Sequence, residues 1–316
     1  MKQDNTLPPK VTILHGGIGP ERDVSLASGK ALAEALQLHY PVDLLDLNKA
    51  ELPPELDPHE TVIFSVIHGT FGEDGSLQKM LENKGFAYAG SDSAASLLCM
   101  NKGKAKQVVG EMGVRGAEDF YFQDPSAVEP AEIIASLGAD VILKPTDQGS
   151  SVALFVLHGE DELRDALAKL SPGNWMIERR IMGREFTVGV LGDMAMGIVE
   201  VIPQGGVYDY DRKYTPGSTE YKFPAILPLH LEEKIKQLAM QSFSACGCRD
   251  FARVDFIVCA DGHPHFLEIN TLPGLTATSL LPKSASCSGY DFPGLVKRLV
   301  TPAIERFSQL SLQPAA

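Results

Sequence analysis

No run of apolar residues in this chain approaches the ~20 needed to span a bilayer. The N-terminus, MKQDNTLPPK, lacks the apolar core of a secretion signal. Both absences lead us to expect a cytoplasmic protein. Cysteine is scarce: Cys99, Cys246, Cys248, Cys259 and Cys287 form an odd set, and no pair has the two-residue spacing of a zinc site. Cys246 and Cys248 flank a glycine and read as small apolar packing residues, and a reducing compartment suits the set. Positive charge is in deficit, with 28 Lys and Arg against 41 Asp and Glu and a net charge of −13. That balance argues against a nucleic-acid partner and against an anionic membrane. It leaves room for an anionic small ligand, because basic residues can be gathered in one cleft. Two nucleotide signatures are missing as well. A G-x-G-x-x-G starting at Gly17 would need glycine where Arg22 stands, and Gly29-Lys30 lacks the flanking residues of a P-loop.

What is present is an ordinary soluble composition, 44% apolar and 22% charged over 316 residues, long enough for two or three lobes. Up to about residue 99 the pattern is βαβ, implying a parallel sheet. Strands are expected at Lys10–Leu14, Val42–Leu47 and Thr61–Ile67, with a helix near Val24–Leu38. Residues 100–182 read as a smaller α+β lobe. It has a helix at Lys102–Met112, strands at Val141–Lys144, Val152–Val156 and Trp175–Arg179, and a helix at Asp161–Leu170. Residues 183–316 open with antiparallel strands, Phe186–Leu191 and Ala195–Pro203. A polar, Tyr-rich loop over Gly205–Phe223, a helix near Leu231–Ala245 and a last helix near Phe292–Phe307 follow.

The most informative stretch is residues 252–270, ARVDFIVCADGHPHFLEIN. Two β-branched runs flank Asp261-Gly262, a dipeptide suited to a two-residue hairpin loop. That loop puts Ala260 opposite His263, Asp255 opposite Glu268, Arg253 opposite Asn270, and Phe256 opposite Leu267. Alternation sends Arg253, Asp255, Glu268 and Asn270 to one face. Paired carboxylates with Cβ atoms ~5 Å apart repel by about 3 kcal/mol at an effective dielectric near 20. A cation between them removes that cost. Oxygen-only ligands favour a hard ion, Mg²⁺ or Mn²⁺, held with help from phosphates.

Other features have two readings each. Lys144 and the following T-D-Q-G-S-S suit either a phosphate-covering loop or a plain polar turn. Residues 176–181 could present backbone groups to an adenine edge or simply connect two lobes. The Tyr-rich segment 208–214 is either functional or a surface loop. His68-Gly69 lies at the carboxyl end of an apolar strand, where open α/β sheets bind ligands, although a lone histidine there is more often structural.

Together these residues resemble the D-alanine–D-alanine ligases of the ATP-grasp superfamily, in order from about residue 11 to 300. The markers are GG-x-x-x-ER-x-VSL (Gly16–Leu26), HG-x-x-GEDG-x-LQ (His68–Gln78) and KP-x-x-x-GSSV (Lys144–Val152). YDY-x-x-KY (Tyr208–Tyr214) and R-x-D with E-x-NT-x-PG-x-T (Arg253–Thr276) complete them. The resemblance implies an ATP-grasp fold, α/β (α+β) in class, with ATP held between the central and C-terminal lobes. It implies Asp255, Glu268 and Asn270 as ligands of two Mg²⁺ ions, with Mn²⁺ as a substitute. Lys102, Lys144 and Lys213 would meet phosphate, and Ser151 belongs to the loop over it. Glu178, Arg179 and Ile181 would form the adenine hinge, with Glu185 at the ribose. Glu21 would hold the ammonium of the first D-alanine, with Ser150 and Tyr214 completing a triad and His68 beside it. Arg253 and the Gly274 N–H would form an oxyanion hole, and Ser279 with Leu280 would take the second carboxylate.

The implied reaction joins two D-alanines through a D-alanyl phosphate, with ADP and phosphate released, for peptidoglycan precursor synthesis. The two loops would close and keep water from the intermediate. Alternatives are D-lactate or D-serine as acceptor, another ATP-grasp carboxylate–amine ligase, or a non-catalytic ATP-binding protein. Tyr214 favours D-alanine, since D-lactate ligases typically differ there. Partners would be small molecules only, and a homodimer is compatible with the reading. One departure from the family stands beside the phosphate loop, where Ala153 replaces the usual glycine.

Overall fold

The computed structural model describes residues 9–149, 153–205, 215 and 217–311. The first strands, β1 (Lys10–Gly16), β2 (Val42–Leu47) and β3 (Thr61–Ser65), form a parallel sheet in the order β2-β1-β3. Strands β1 and β3 are buried almost throughout, which is why they read as unbroken apolar runs rather than alternating ones. Helix α1 (Arg22–Leu36) covers one face with Leu32 and Leu36. The last helix, residues 292–311, returns to the same core through Leu295, Leu299 and Val300. Helices α2 (Ser76–Asn83) and α3 (Ser93–Met100) follow β3; Asp92 caps α3 by accepting from the Ala95 N–H at 2.9 Å.

The central sheet is antiparallel, β4-β7-β5-β6, from β4 (Asp119–Phe122), β5 (Asp140–Pro145), β6 (Phe155–His158) and β7 (Trp175–Arg179). Helices α5 (Pro130–Leu137) and α6 (Gly159–Leu167) bury Ile133, Leu137, Leu163 and Leu167 against it. Strand β6 starts at Phe155, later than the expected Val152. Ala153 ahead of it sits at φ 52°, a left-handed turn that the extended chain must leave first.

The third sheet is antiparallel, β10-β9-β8-β11-β12, built from β8 (Gly183–Leu191), β9 (Met194–Pro203), β10 (Thr219–Lys222), β11 (Phe251–Cys259) and β12 (Pro264–Asn270). The expected Gly205–Phe223 loop therefore ends in a strand, because Thr219–Lys222 pairs with the free edge of β9. Helix α7 (Leu229–Ala245) packs Ile235, Leu238 and Phe243 on this sheet. Ala105 and Val109 of α4 (Lys102–Glu111) join the same core. Helices α8 (Leu280–Ser286) and α9 (Phe292–Ser311) close the chain.

The β11–β12 hairpin has the expected partners at its business end: Arg253 faces Asn270, Val254 faces Ile269, and Asp255 faces Glu268. Its loop is longer than expected. The Gly262 N–H bonds the Cys259 carbonyl at 2.9 Å and the Cys259 N–H bonds the His263 carbonyl at 3.2 Å. Residues 260–262 therefore form a three-residue loop with Gly262 at φ 81°. This shifts the near pairs by one, so Phe256 faces Phe266 and not Leu267. A bulge between Asp255 and Phe256 then restores the register. The extra residue is Leu267. Phe256 and Phe266 keep the core face, and Leu267 turns to the same cavity as Glu268.

Candidate active site

Two cavities meet at this hairpin. One, of about 380 Å³, lies between the central and third sheets and includes Lys102, Lys144, Glu178, Glu185, Asp255 and Glu268 in its wall. The other, of about 510 Å³, lies toward the N-terminal sheet and includes Glu21, His68, Arg253, Asn270, Gly274 and Ser279. Both volumes suit small ligands. Neighbouring hairpin residues thus face different chambers, with Asp255 and Glu268 in the first and Arg253 and Asn270 in the second.

The second chamber is assembled by local bonding that explains its motifs. Arg22 forks onto Asp46 at 2.9 and 2.6 Å and donates to the Gly17 carbonyl at 3.1 Å, fixing the start of α1 beside Glu21. Ser25 joins two strand ends, accepting from Gly16 N at 3.0 Å and donating to the Val66 carbonyl at 2.5 Å. In the His68–Gln78 segment, Asp74 accepts from the Phe71 and Ser76 N–H groups, both at 2.9 Å, and Gln78 donates to the Gly72 carbonyl at 2.7 Å. Gly72 admits no side chain, since a Cβ there would stand 1.8 Å from the Ile67 carbonyl oxygen. The folded loop brings Glu73 to His68, Oε1 to Nδ1 at 3.1 Å. Burial pulls the His68 pKa down, but the bond and charge of Glu73 outweigh it and the net shift is upward. Its Nε2 is buried and has no hydrogen-bond partner among the described residues. On the far wall, Ser279 begins α8 and its Oγ lies 2.8 Å from Thr276 Oγ1.

The first chamber, and the hairpin wall it shares with the second, carry paired charges. Arg253 donates Nε and Nη2 to the two oxygens of Asp255 at 3.0 and 2.8 Å. The Asn270 amide reaches Asp255 Oδ2 at 3.2 Å and Glu268 Oε1 at 3.4 Å. Lys102 donates to the Gln148 carbonyl at 2.6 Å, with Glu268 Oε2 at 3.6 Å. Lys144 is paired with Glu178. Burial alone would push the Glu178 carboxyl up; the charges of Lys144 and Lys106 outweigh it and hold it below the usual carboxylate value. Arg179 pairs its guanidinium with Glu118, and Arg179 and Ile181 both line the cavity. Glu185 sits on β8 across from Ile257.

Among the described residues no group of three His, Cys, Asp or Glu side chains could hold a metal ion. The available set is two carboxylates and one amide, which fits a hard cation only if phosphate and water oxygens complete its shell. The hairpin brings these three side chains together, and Arg253, Lys102 and the Asn270 amide nitrogen meet the carboxylate oxygens.

Ser150, Ser151, Lys213 and Tyr214 lie outside the described residues. Sequence reading missed Lys106, Leu267, and the pairing of Arg184 with Glu200 at 2.7 and 2.8 Å on the cavity wall. Lys106 had one local signal, its place one turn after Lys102 on the same helix.

Residues 117–301 match the family described as D-ala D-ala ligase C-terminus. The chain is 39% identical over 311 residues to the D-alanine–D-alanine ligase of Geobacter sulfurreducens, covering 96% of each. The D-alanine–D-alanine ligase from Bacillus anthracis complexed with ATP has a similar structure, with a TM-score of 0.83 at 26% identity over 96% of this chain and 99% of that one. The VanG D-Ala:D-Ser ligase from Enterococcus faecalis gives a TM-score of 0.81 at 26% identity, over 94% and 99%. Three sheets, two chambers on one hairpin and this full-length likeness agree: the chain belongs to the D-alanine–D-alanine ligase family and has its ATP-grasp fold.

Proposed function

We propose that this protein joins two D-alanines into D-alanyl-D-alanine, with ATP as co-substrate and ADP and phosphate as products, as a step toward peptidoglycan precursors. One observation carries the reading. The β11–β12 hairpin lines both chambers, with Asp255 and Glu268 in one and Arg253 and Asn270 in the other. A carboxylate bound in the second chamber is then within reach of a γ-phosphate in the first, and the transfer becomes chiefly a matter of positioning.

In this reading the adenine lies against the hinge at Glu178, Arg179 and Ile181, with the ribose at Glu185. Lys102 and Lys144 exchange their carboxylate partners for phosphate oxygens, together with Lys213 and the Ser151 loop. Asp255, Glu268 and Asn270 hold Mg²⁺, or Mn²⁺ in its place, which neutralises phosphate charge when bound. Glu21 receives the ammonium of the first D-alanine, with Ser150, Tyr214 and His68 around it. Its carboxylate oxygen attacks the γ-phosphorus, ADP leaves, and an acyl phosphate forms. Ser279 and Leu280 orient the second D-alanine by its carboxylate, and its free amine attacks the acyl carbon. Arg253 and the Gly274 N–H steady the oxyanion until phosphate departs. A cytoplasmic location accords with these substrates.

The likeness to a D-Ala:D-Ser ligase makes D-serine the competing acceptor. Phosphate and ADP release with ATP, Mg²⁺ and D-alanine, alone or with D-serine or D-lactate, separates the readings. D-alanine should serve as both donor and best acceptor at neutral pH. A clear preference for D-serine or D-lactate would reassign the acceptor, and no ADP release with D-alanine would sink the proposal.

A further inference from the structure

Behind the phosphate lysine lies a charge arrangement with two members, Lys106 and Asp119, that the reaction described above does not use. Asp119 on β4 stands directly opposite Glu178 on β7. Carboxylates at that cross-strand spacing, ~5 Å between Cβ atoms, repel, and the burial of Glu178 leaves less water to screen them. Lys106 of α4 fills the gap. Its Nζ lies 2.5 Å from Asp119 Oδ2 and 3.0 Å from Glu178 Oε2, and donates to the Ala117 carbonyl at 3.0 Å. Those contacts occupy all three ammonium protons. The side chains of Lys106 and Glu178 are only 6% and 7% exposed. The other Glu178 oxygen, Oε1, takes Lys144.

The two lysines are not equivalent. Lys144 lines the nucleotide chamber; Lys106 lines the separate depression behind it. The path of Lys106 is built in, because a Cβ on Gly116 would stand 2.8 Å from its Cε. Two carboxylates and two ammonium groups balance. Without Lys106, Lys144 would be the sole counter-ion of Glu178, and a triphosphate would enter beside an excess negative charge.

We propose that Lys106 is a positioning residue for ATP: by holding Glu178 from behind, it leaves Lys144 able to exchange that carboxylate for phosphate. This rests on the nucleotide reading of the chamber. ATP binding by the unaltered protein, followed by calorimetry, tests that reading first and separately. Lys106→Met should then raise the KM for ATP about tenfold, or ~1.4 kcal/mol, with the KM for D-alanine unchanged. In a Glu178→Gln background no carboxylate remains to trap Lys144, so the same substitution should change the ATP KM by less than about twofold. A merely structural lysine would lower the melting temperature without this dependence on background. If Lys106→Met is too unstable to purify, Lys106→Gln with Asp119→Asn leaves fewer unpaired charges and should still raise the ATP KM. An equal rise in both backgrounds, or an unchanged ATP KM in either Lys106 variant, would overturn the proposal.

Discussion

The two chambers that share the β11–β12 hairpin are prepared in opposite ways. On the nucleotide side charges are already matched: Lys102 with Glu268, Lys144 with Glu178, and Asp255 with Arg253 reaching across from the other chamber. A ligand there must exchange partners, and binding follows the difference between two strong sets of interactions. On the substrate side His68 is held by Glu73, with Nε2 buried and without a hydrogen-bond partner among the described residues, and the loop carrying it includes Phe71 at φ 76°. That chamber has already met the cost of its geometry and awaits an acceptor. Charge changes should therefore act on ATP and metal handling in the first chamber, and on substrate KM and proton placement in the second.

The largest effect should come from Glu268→Gln, which removes a charge from the proposed metal set while keeping its shape. Turnover should fall by more than about 100-fold. A rate near that of the unaltered protein at ordinary Mg²⁺ would show that the pair does not hold the ion. Arg253→Met comes next, with kcat down by about 100-fold and a smaller change in the donor KM, since an oxyanion contact acts in the transition state. An effect confined to KM would place Arg253 in ground-state binding instead.

How far these sites can be read from sequence differs in the same way. The Asp255–Glu268 and Arg253–Asn270 pairs follow from alternation and one turn dipeptide. They hold because two one-residue deviations cancel, the third loop residue and the bulge at Leu267. Nothing in local pattern announces a bulge, so Leu267 reads as a core residue when it is a cavity residue. Glu178 illustrates the opposite limit. Its strand is legible, but its carboxylate is committed by Lys106, 72 positions away in sequence, and by Lys144. Such pairing depends on α4, packed in the core of the third sheet, sending Lys106 to the central sheet, which no periodicity specifies. The motif glycines fare better, because Gly72 marks a backbone approach that excludes any side chain. Short helices such as α2 and α8 offer too few turns for a clear 3.6-residue pattern.

In the substrate chamber, His68→Gln should raise the D-alanine KM about fivefold, the worth of one buried hydrogen bond, and leave the ATP KM alone. Its pH signature has a definite sign. The folded pKa of His68 lies above its ordinary value of 6.5. The protonated group therefore stabilises the fold fully below pH 6.5, and that contribution fades as pH rises through the folded value. The melting temperature of the unaltered protein relative to His68→Gln should be highest in mild acid and should converge upward in pH. A gap that widens with pH would reverse the assignment. The smallest effect concerns Ala153, left-handed at φ 52° where the family usually has glycine. Ala153→Gly should stabilise by up to about 1 kcal/mol in urea unfolding, relief of strain exceeding the added freedom of the unfolded chain. A loss of stability would mean that the turn is not strained.

The central claim is that a donor carboxylate in one chamber attacks a phosphorus in the other. D-Alanine labelled with ¹⁸O in both carboxylate oxygens tests it in a single turnover with ATP and Mg²⁺, read by mass spectrometry of the released phosphate. Transfer of one ¹⁸O from each donor carboxylate into inorganic phosphate is the predicted result. Unlabelled phosphate alongside labelled dipeptide would contradict the acyl phosphate and the two-chamber account with it.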